Sequence, residues 1–251
     1  MRQRPDPMPR MARWYSNIFR APLVFAVTGI FGTAALIASV WAKTGRTQHR
    51  IAQRWARACL AVSGARLTVC GAENLAKHPV AVYASNHTSY MDTPVVFATL
   101  PFQFRILAKK ELWSLPFIGW YLARSGQIPV DAENGRAALS SLSTGVKALR
   151  AGMPLFVFPE GSRTPDGALK EFLAGAAFLA IRAQLPVVPI ALSGVYDLLP
   201  IHTTHLYPCE MTLTVGEPIE TAGMTLRQTD ELTQEVRNRI AEMLAGEPVC
   251  S

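Results

Sequence analysis

A histidine and an aspartate in one short polar segment have the residue types and spacing of a general base and its partner. His87 and Asp92 belong to the segment NHTSYMD at 86–92, which directly follows a predicted strand ending near Ala84. On a regular helix five residues correspond to about 140° of rotation, so only a turn that opens a helix can bring the two side chains together. The carboxylate would then orient the imidazole and stabilise its protonated form. The alternative is a solvent-facing histidine beside an aspartate that caps a helix.

A second polar segment, FPEGSR at 158–163, also follows a predicted strand and has the composition of an anion site. Gly161 allows a ligand to approach the backbone closely, and exposed N–H groups together with Arg163 can bind an anion. Glu160 and Ser162 complete the segment. The alternative is an ordinary strand-to-loop turn in which Glu160 and Arg163 are solvated.

The surrounding sequence supplies strands and helices that can position these two segments. Short apolar runs predict strands at 67–70, 80–84, 105–108, 127–130, 155–158, 187–192 and 211–215. Helical patterns lie between them near 93–100, 134–150 and 172–184, and the last helix repeats Leu232, Val236, Ile240 and Leu244 before Gly246. Strands that alternate with helices predict a layered α/β domain, which we place at residues 64–251.

The N-terminal residues 1–63 are predicted to anchor the chain to a membrane. Residues 21–42 carry no charge and lie between Arg20 and Lys43. An unbroken helix of this length would span about 33 Å, enough to cross a bilayer core. A cleaved signal peptide is disfavoured because the basic leader is long and the apolar run exceeds a usual signal core. Of the two remaining alternatives, a re-entrant hairpin with its bend at Gly29 and Gly32 is slightly favoured over a single crossing, because both flanks are basic.

Charge and cysteine usage point to the same location. The net charge is +7, but residues 1–57 alone hold ten Lys or Arg and one acidic residue, so the remainder is close to neutral. This distribution disfavours a nucleic-acid-binding face and favours an anionic lipid surface, against which a basic amphipathic helix with Arg50, Arg54 and Trp55 would lie. The four scattered cysteines indicate reduced thiols in the cytoplasm. We therefore expect the cytoplasmic (inner) membrane, with the active site facing the cytoplasm.

Taken together and in this order, the two polar segments resemble the catalytic and acceptor-binding blocks of the glycerolipid acyltransferase family. The likeness runs from about residue 67 to 192 and includes two further blocks, AKKEL at 108–112 with PFIG at 116–119 and GQIPVD at 126–131, and also VVPI at 187–190. The resemblance implies a mixed sheet flanked by helices. It also implies transfer of a fatty acyl group to a lysophospholipid, most often 1-acylglycerol 3-phosphate at the sn-2 position.

The resemblance also implies roles for individual residues. His87 would be the general base and Asp92 its partner, while Arg163 would bind the phosphate of the acceptor. Glu160, Gly161 and Ser162 would shape the acceptor site, and the resemblance makes Lys109 a second cation. Acyl-CoA or acyl carrier protein would bring the acyl group as a thioester, so no cofactor and no metal is expected; His202, His205 and Cys209 do not complete a metal site.

Two departures from the family pattern leave the acceptor open. Ala132 stands where the family often has arginine, with Arg136 four residues on, and Leu173 and Ala174 follow Phe172 where basic residues are common. A zwitterionic acceptor, such as a lyso-ornithine lipid, is therefore an alternative. A catalytically inactive lipid-binding protein is an alternative from another class, and a hydrolase is disfavoured because no activated serine or cysteine is visible.

Overall fold

The computed structural model describes residues 10–42, 44–115, 118–131 and 135–246. Lys43, Pro116, Phe117, Ala132 and Asn134, which entered the predictions above, lie outside the described residues, as do 1–9 and 247–251. Within the described part the helices are α1 (Arg10–Tyr15), α2 (Ala21–Ala38), α3 (Arg46–Ser63), α4 (Glu73–Lys77), α5 (Asp92–Thr99), α6 (Ile118–Ser125), α7 (Gly135–Arg150), α8 (Gly175–Ala183), α9 (Val195–Leu198) and α10 (Thr229–Ala245). A π-helical turn, Ser16–Arg20, joins α1 to α2, and 3-10 turns occupy Lys110–Ser114 and Leu226–Gln228.

Among the described residues, seven strands form one mixed sheet. They are β1 (Arg66–Cys70), β2 (Val82–Ser85), β3 (Arg105–Lys109), β4 (Ile128–Val130), β5 (Leu155–Val157), β6 (Val187–Ser193) and β7 (Glu210–Val215). The strand order is β1-β7-β6-β2-β5-β3-β4. Strands β6, β2, β5, β3 and β4 run parallel, whereas β7 pairs antiparallel with β6 and parallel with β1. The predicted mixed α/β sheet is confirmed.

Side chains that alternate along the central strands face two apolar layers. Tyr83, Phe156 and Val188 belong to a core that includes residues of α3 and α5. Their neighbours Val82 and Leu155 belong to the opposite core, which is formed with α7, α8 and α10. Because β2 and β5 are covered on both faces, their carboxyl ends are held at fixed positions along the same edge of the sheet.

The predicted strands match the observed ones to within two residues at each end, but the helices differ more. The helix expected at 172–184 begins at Gly175, because the backbone N–H of Leu173 donates to the carbonyl of Pro159 at 2.8 Å and so is not part of the helix. Helices α4, α6 and α9 were not predicted; they are short, and an apolar periodicity needs more turns than they contain to become visible.

The N-terminal arm, which we define as Met11–Ala38, is helical throughout and has the length and composition of a membrane span. The helix continues through Gly29 and Gly32, so the bend favoured there is wrong. Glycine within a helix leaves the backbone hydrogen bonds intact, so α2 is not broken at these residues. The chain instead reverses between α2 and α3, where Gly45 adopts a left-handed φ of 74° directly before α3. This helix can anchor the chain to a membrane.

Helix α3 returns from the arm along the body of the protein. Its residues Ala56 and Cys59 are buried in the core that includes α5, and the Trp55 indole donates to the hydroxyl of Thr28 in α2 at 3.0 Å. The boundary proposed at residue 63 stays a prediction. Cys59 and Cys209 are free thiols, but Cys70 is disulfide-bonded, so the expectation of reduced cysteines is wrong for Cys70. Spacing along the sequence does not limit which cysteines meet in space.

Candidate active site

The segment 86–92 is a tight loop between β2 and α5, and the side chain of Asn86 fixes it to the next strand. The Asn86 amide donates to the carbonyl of Leu192 at 3.0 Å, and its oxygen accepts from the Leu192 N–H at 2.8 Å. These bonds join the end of β2 to the end of β6. Ligands of open α/β sheets bind outside the carboxyl ends of such strands, which is where this loop lies.

Asp92 is the first residue of α5, and its carboxylate collects four donors of the loop, one of which is the Thr88 hydroxyl at Oδ1. One oxygen, Oδ2, accepts from the backbone N–H of Thr88 at 2.6 Å and of Ser89 at 2.8 Å, and it lies 2.8 Å from Nδ1 of His87. The side chain of Asp92 is fully buried. Nδ1 of His87 therefore carries the proton when the ring is neutral, and Nε2 keeps the lone pair that can accept one.

The imidazole of His87 is held from a second side by an aromatic ring. It stacks on Phe158 with 4.0 Å between ring centroids and an interplanar angle of 18°. Burial lowers the pKa of His87; the hydrogen bond and charge of Asp92 oppose this shift, and the charges of Arg163 and Lys170 add to it. The ring is therefore neutral at pH 7 and suited to accept a proton.

Glu160 joins the two polar segments. Its Oε1 accepts from the backbone N–H of His87 at 2.7 Å, and its Oε2 accepts from that of Lys170 at 3.2 Å. Burial raises the pKa of this carboxyl, while the two hydrogen bonds oppose that effect. Because both oxygens are occupied by backbone donors and the residue is buried, Glu160 holds the loop in place. The backbone N–H of Thr164, which donates to the carbonyl of His87 at 3.1 Å, adds a parallel link.

Gly161, Ser162 and Arg163 follow on the surface beside the histidine loop. Gly161 has a φ of 69°, and a Cβ there would lie 2.9 Å from Leu173, so the turn requires glycine. Arg163 donates from Nε to the carbonyl of Ser89 at 3.2 Å, and its guanidinium carbon lies 4.2 Å from the centroid of the Tyr90 ring. These two contacts place a cation against the loop that carries His87.

The structure brings together six of the seven predicted site residues. His87, Asp92, Glu160, Gly161, Ser162 and Arg163 lie at the carboxyl ends of the adjacent strands β2 and β5. Lys109 ends β3, one strand further along the same edge, with an exposed side chain. No described contact joins it to the histidine loop.

Three residues of the site were not predicted. Asn86 and Phe158 belong to the two polar segments. The signal for Asn86 was an amide beside the histidine, and the signal for Phe158 was an aromatic residue at the end of a strand. Lys170 lies seven residues beyond Arg163, and its ammonium donates to the Ser162 hydroxyl at 2.6 Å. Nothing in the local sequence pattern distinguishes it from a solvated surface lysine.

Comparison with known proteins identifies the family. A family model described as Acyltransferase matches residues 66–193, about half of the chain. A 1-acyl-sn-glycerol-3-phosphate acyltransferase of Saccharomyces cerevisiae is 30% identical over 236 residues, 92% of this chain and 77% of the relative. A protein of the same name from Pseudomonas aeruginosa is 32% identical over 206 residues, 80% of this chain and 79% of the relative.

A solved structure has the same fold. The crystal structure of the 1-acyl-sn-glycerophosphate acyltransferase PlsC from Thermotoga maritima superimposes with a TM-score of 0.76, covering 94% of this chain and 99% of that chain at 22% identity. The matched family model spans the sheet from β1 to β6 and includes both polar segments. The resemblance inferred from the motifs is thus confirmed, and the chain belongs to the acyltransferase family.

Proposed function

We propose that this protein transfers a fatty acyl group from acyl-CoA or acyl carrier protein to the free hydroxyl of 1-acylglycerol 3-phosphate, producing phosphatidic acid. The observation that carries the proposal is the neutral imidazole of His87, fixed by Asp92 beside the guanidinium of Arg163. A base and an anion-binding cation at one strand edge suit an acceptor that carries a hydroxyl and a phosphate. The names of the yeast and Pseudomonas relatives support the same acceptor.

The reaction is a direct transfer between two bound substrates. Nε2 of His87 takes the proton of the acceptor hydroxyl as that oxygen forms a bond to the thioester carbonyl carbon. The tetrahedral intermediate then collapses, the carbon–sulfur bond breaks, and the imidazolium returns its proton to the leaving thiolate. The products are the new ester and a free thiol. No cofactor or metal takes part in these steps.

Asp92 and Arg163 have separate roles in this scheme. Asp92 keeps the tautomer in which Nε2 is unprotonated and stabilises the imidazolium as it forms. Arg163 binds the phosphate of the acceptor, and its contacts with Ser89 and Tyr90 set the distance between that phosphate and the base. Positioning matters because a bimolecular reaction between two lipids gains most from being held in a reactive geometry.

We further propose that the protein works at the cytoplasmic membrane with this site facing the cytoplasm. The N-terminal arm exposes large apolar side chains, among them Trp14 and Phe25. The basic residues of 1–57 favour the anionic cytoplasmic lipid surface. The lysophospholipid would then reach the strand edge from the bilayer, and the acyl thioester would reach it from the cytoplasm.

A zwitterionic acceptor, such as a lyso-ornithine lipid, is the second candidate. One observation favours it: Leu173, an exposed apolar residue beside Gly161, stands where the family often has a basic residue. A zwitterionic head group needs less positive charge at the site than a phosphate monoester does.

The test is acyl transfer by the purified membrane protein, with both thioester donors and with 1-acylglycerol 3-phosphate and lyso-ornithine lipid offered separately. We expect transfer to the first acceptor and a loss of about 10²- to 10⁴-fold in kcat for His87→Ala. His78→Ala, which changes a surface histidine paired with Glu220, serves as the control and should keep full activity. Transfer to the lyso-ornithine lipid alone would select the second candidate, and no transfer to either acceptor would favour the lipid-binding alternative.

A further inference from the structure

The phosphate of the proposed acceptor needs more positive charge than the predicted site residues supply. A phosphate monoester carries about −1.5 to −2 charges at pH 7. Of the two predicted cations, Arg163 contacts the histidine loop, whereas Lys109 has an exposed side chain one strand away. Leu173 supplies no charge at the position where the family often has a basic residue.

Lys170 lies close to residues 161–163, and its ammonium is oriented towards Ser162. Its Nζ donates to the hydroxyl of Ser162 at 2.6 Å and reaches the Ser162 carbonyl at 3.3 Å. The backbone is fixed independently of this side chain: the N–H donates to Glu160, and the carbonyl accepts from Nε of Arg237 at 3.1 Å. The backbone bonds therefore hold residue 170 beside residues 161–163, and they do not depend on the charge of its side chain.

The charge of Lys170 acts on both His87 and Glu160. Together with the charge of Arg163 it lowers the pKa of His87, and it also opposes the raised pKa of Glu160. Within the residues that the structure describes, no carboxylate oxygen lies within ion-pair distance of the Lys170 ammonium. A lysine ammonium has three donors, so a donor that Ser162 does not occupy remains for an anion.

We propose that Lys170 is a specificity-determining residue that binds the acceptor's phosphate together with Arg163. Ser162 holds the ammonium on one side of the phosphate, and the guanidinium binds it from the other. The pair favours a phosphate monoester over a zwitterionic head group and replaces the charge that Leu173 lacks. This inference rests on the proposed function, because it concerns the acceptor of the same reaction.

Steady-state kinetics of Lys170→Met and Lys170→Arg in the full-length membrane protein test this proposal. For Lys170→Met we expect a rise of about 10- to 100-fold in KM for 1-acylglycerol 3-phosphate, with a much smaller change in kcat, as for a lost hydrogen bond to a charged group. Lys170→Arg should keep most of the affinity because it keeps the charge. Lys147→Met, which removes an exposed lysine on α7, is the matched control and should change neither constant.

The pH profile of kcat/KM separates an effect of the Lys170 charge from a purely structural role of this residue. Because Lys170 lowers the pKa of His87, Lys170→Met should move the acid limb of the kcat/KM profile to higher pH. A purely structural role would leave that limb in place. The variant should fold, since the backbone bonds of residue 170 remain.

The outcomes distinguish the inference from the function on which it rests. If the wild type acylates 1-acylglycerol 3-phosphate but Lys170→Met has an unchanged KM and pH profile, the role of Lys170 is wrong and the proposed function stands. The role is equally wrong if Lys170→Arg is as impaired as Lys170→Met. If the wild type does not acylate this acceptor, the proposed acceptor fails and the inference fails with it.

Discussion

The loop around His87 and the N-terminal arm differ in where their side chains find partners. The polar groups of Asn86 and Asp92 in the loop, and of Glu160 beside it, are buried, and each accepts from backbone N–H groups. In the arm, Trp14 is 70% exposed and Phe25 is 75% exposed, so other described residues cover only a small part of these side chains. Large exposed apolar surface indicates a partner outside the chain, and a helix of this length and composition can anchor a chain to a membrane.

This contrast separates what the protein provides internally from what it needs from its surroundings. The polar groups of the loop find hydrogen-bond partners among the described residues, so the loop is expected to be sensitive to changes of a single atom. The exposed apolar side chains of the arm need an apolar environment outside the chain. We therefore expect the arm to be sensitive to substitutions that add charge and tolerant of substitutions that change only side-chain shape. The following substitutions test this difference.

The largest effect is expected for Asp92→Asn. The amide oxygen can keep the bonds to His87, Thr88 and Ser89, but the negative charge that stabilises the imidazolium is lost. We expect kcat to fall by about 10²- to 10⁴-fold without loss of fold. Because Asp92 raises the pKa of His87, the acid limb of kcat/KM should move to lower pH, opposite to Lys170→Met. Asp230→Asn, at an exposed position of α10, is the control; equal kcat in both variants would contradict the role of Asp92.

A change of polarity should detach the arm. Phe25→Asp replaces an exposed aromatic residue of α2, at a cost of about 3 kcal/mol if the position lies in the bilayer core. We expect a large loss of protein from the membrane fraction on co-sedimentation with anionic vesicles. Leu226→Asp changes a residue that is also exposed but lies outside the arm, and it should bind normally. Wild-type binding by Phe25→Asp would mean that this face of α2 does not contact lipid.

The smallest effect is expected for Glu160→Gln, measured as stability in detergent by denaturant titration. The amide can accept from only one of the two backbone N–H groups and turns its own N–H₂ towards the other. We expect the free energy of unfolding to fall by about 1–3 kcal/mol. Glu235→Gln, which removes an exposed i,i+4 ion pair with Arg239, should cost about 0.5 kcal/mol or less. Equal losses in the two variants would show that the Glu160 bonds do not stabilise the loop.

Much of this molecule could be predicted from its sequence because the signals are local. The strands are short apolar runs, and both polar segments directly follow strands that prove to be neighbours. The position of Lys170 beside Ser162 could not be predicted, since it depends on how the residues after Arg163 fold back against Ser162. The reversal before α3 was also missed, because hydropathy does not distinguish one continuous helix from two short ones.

The bond between Asn86 and Leu192 has a consequence for how the protein folds. It joins residues 106 positions apart, whereas the contacts between His87 and Asp92 are local. Contacts that span long stretches of chain form slowly, because the closure of the loop between them costs entropy before any pairing repays it. We therefore expect the loop around His87 to become fixed only once β6 has joined the sheet. A nascent chain that ends before β6 would carry His87 and Asp92 without the strand to which Asn86 is bonded.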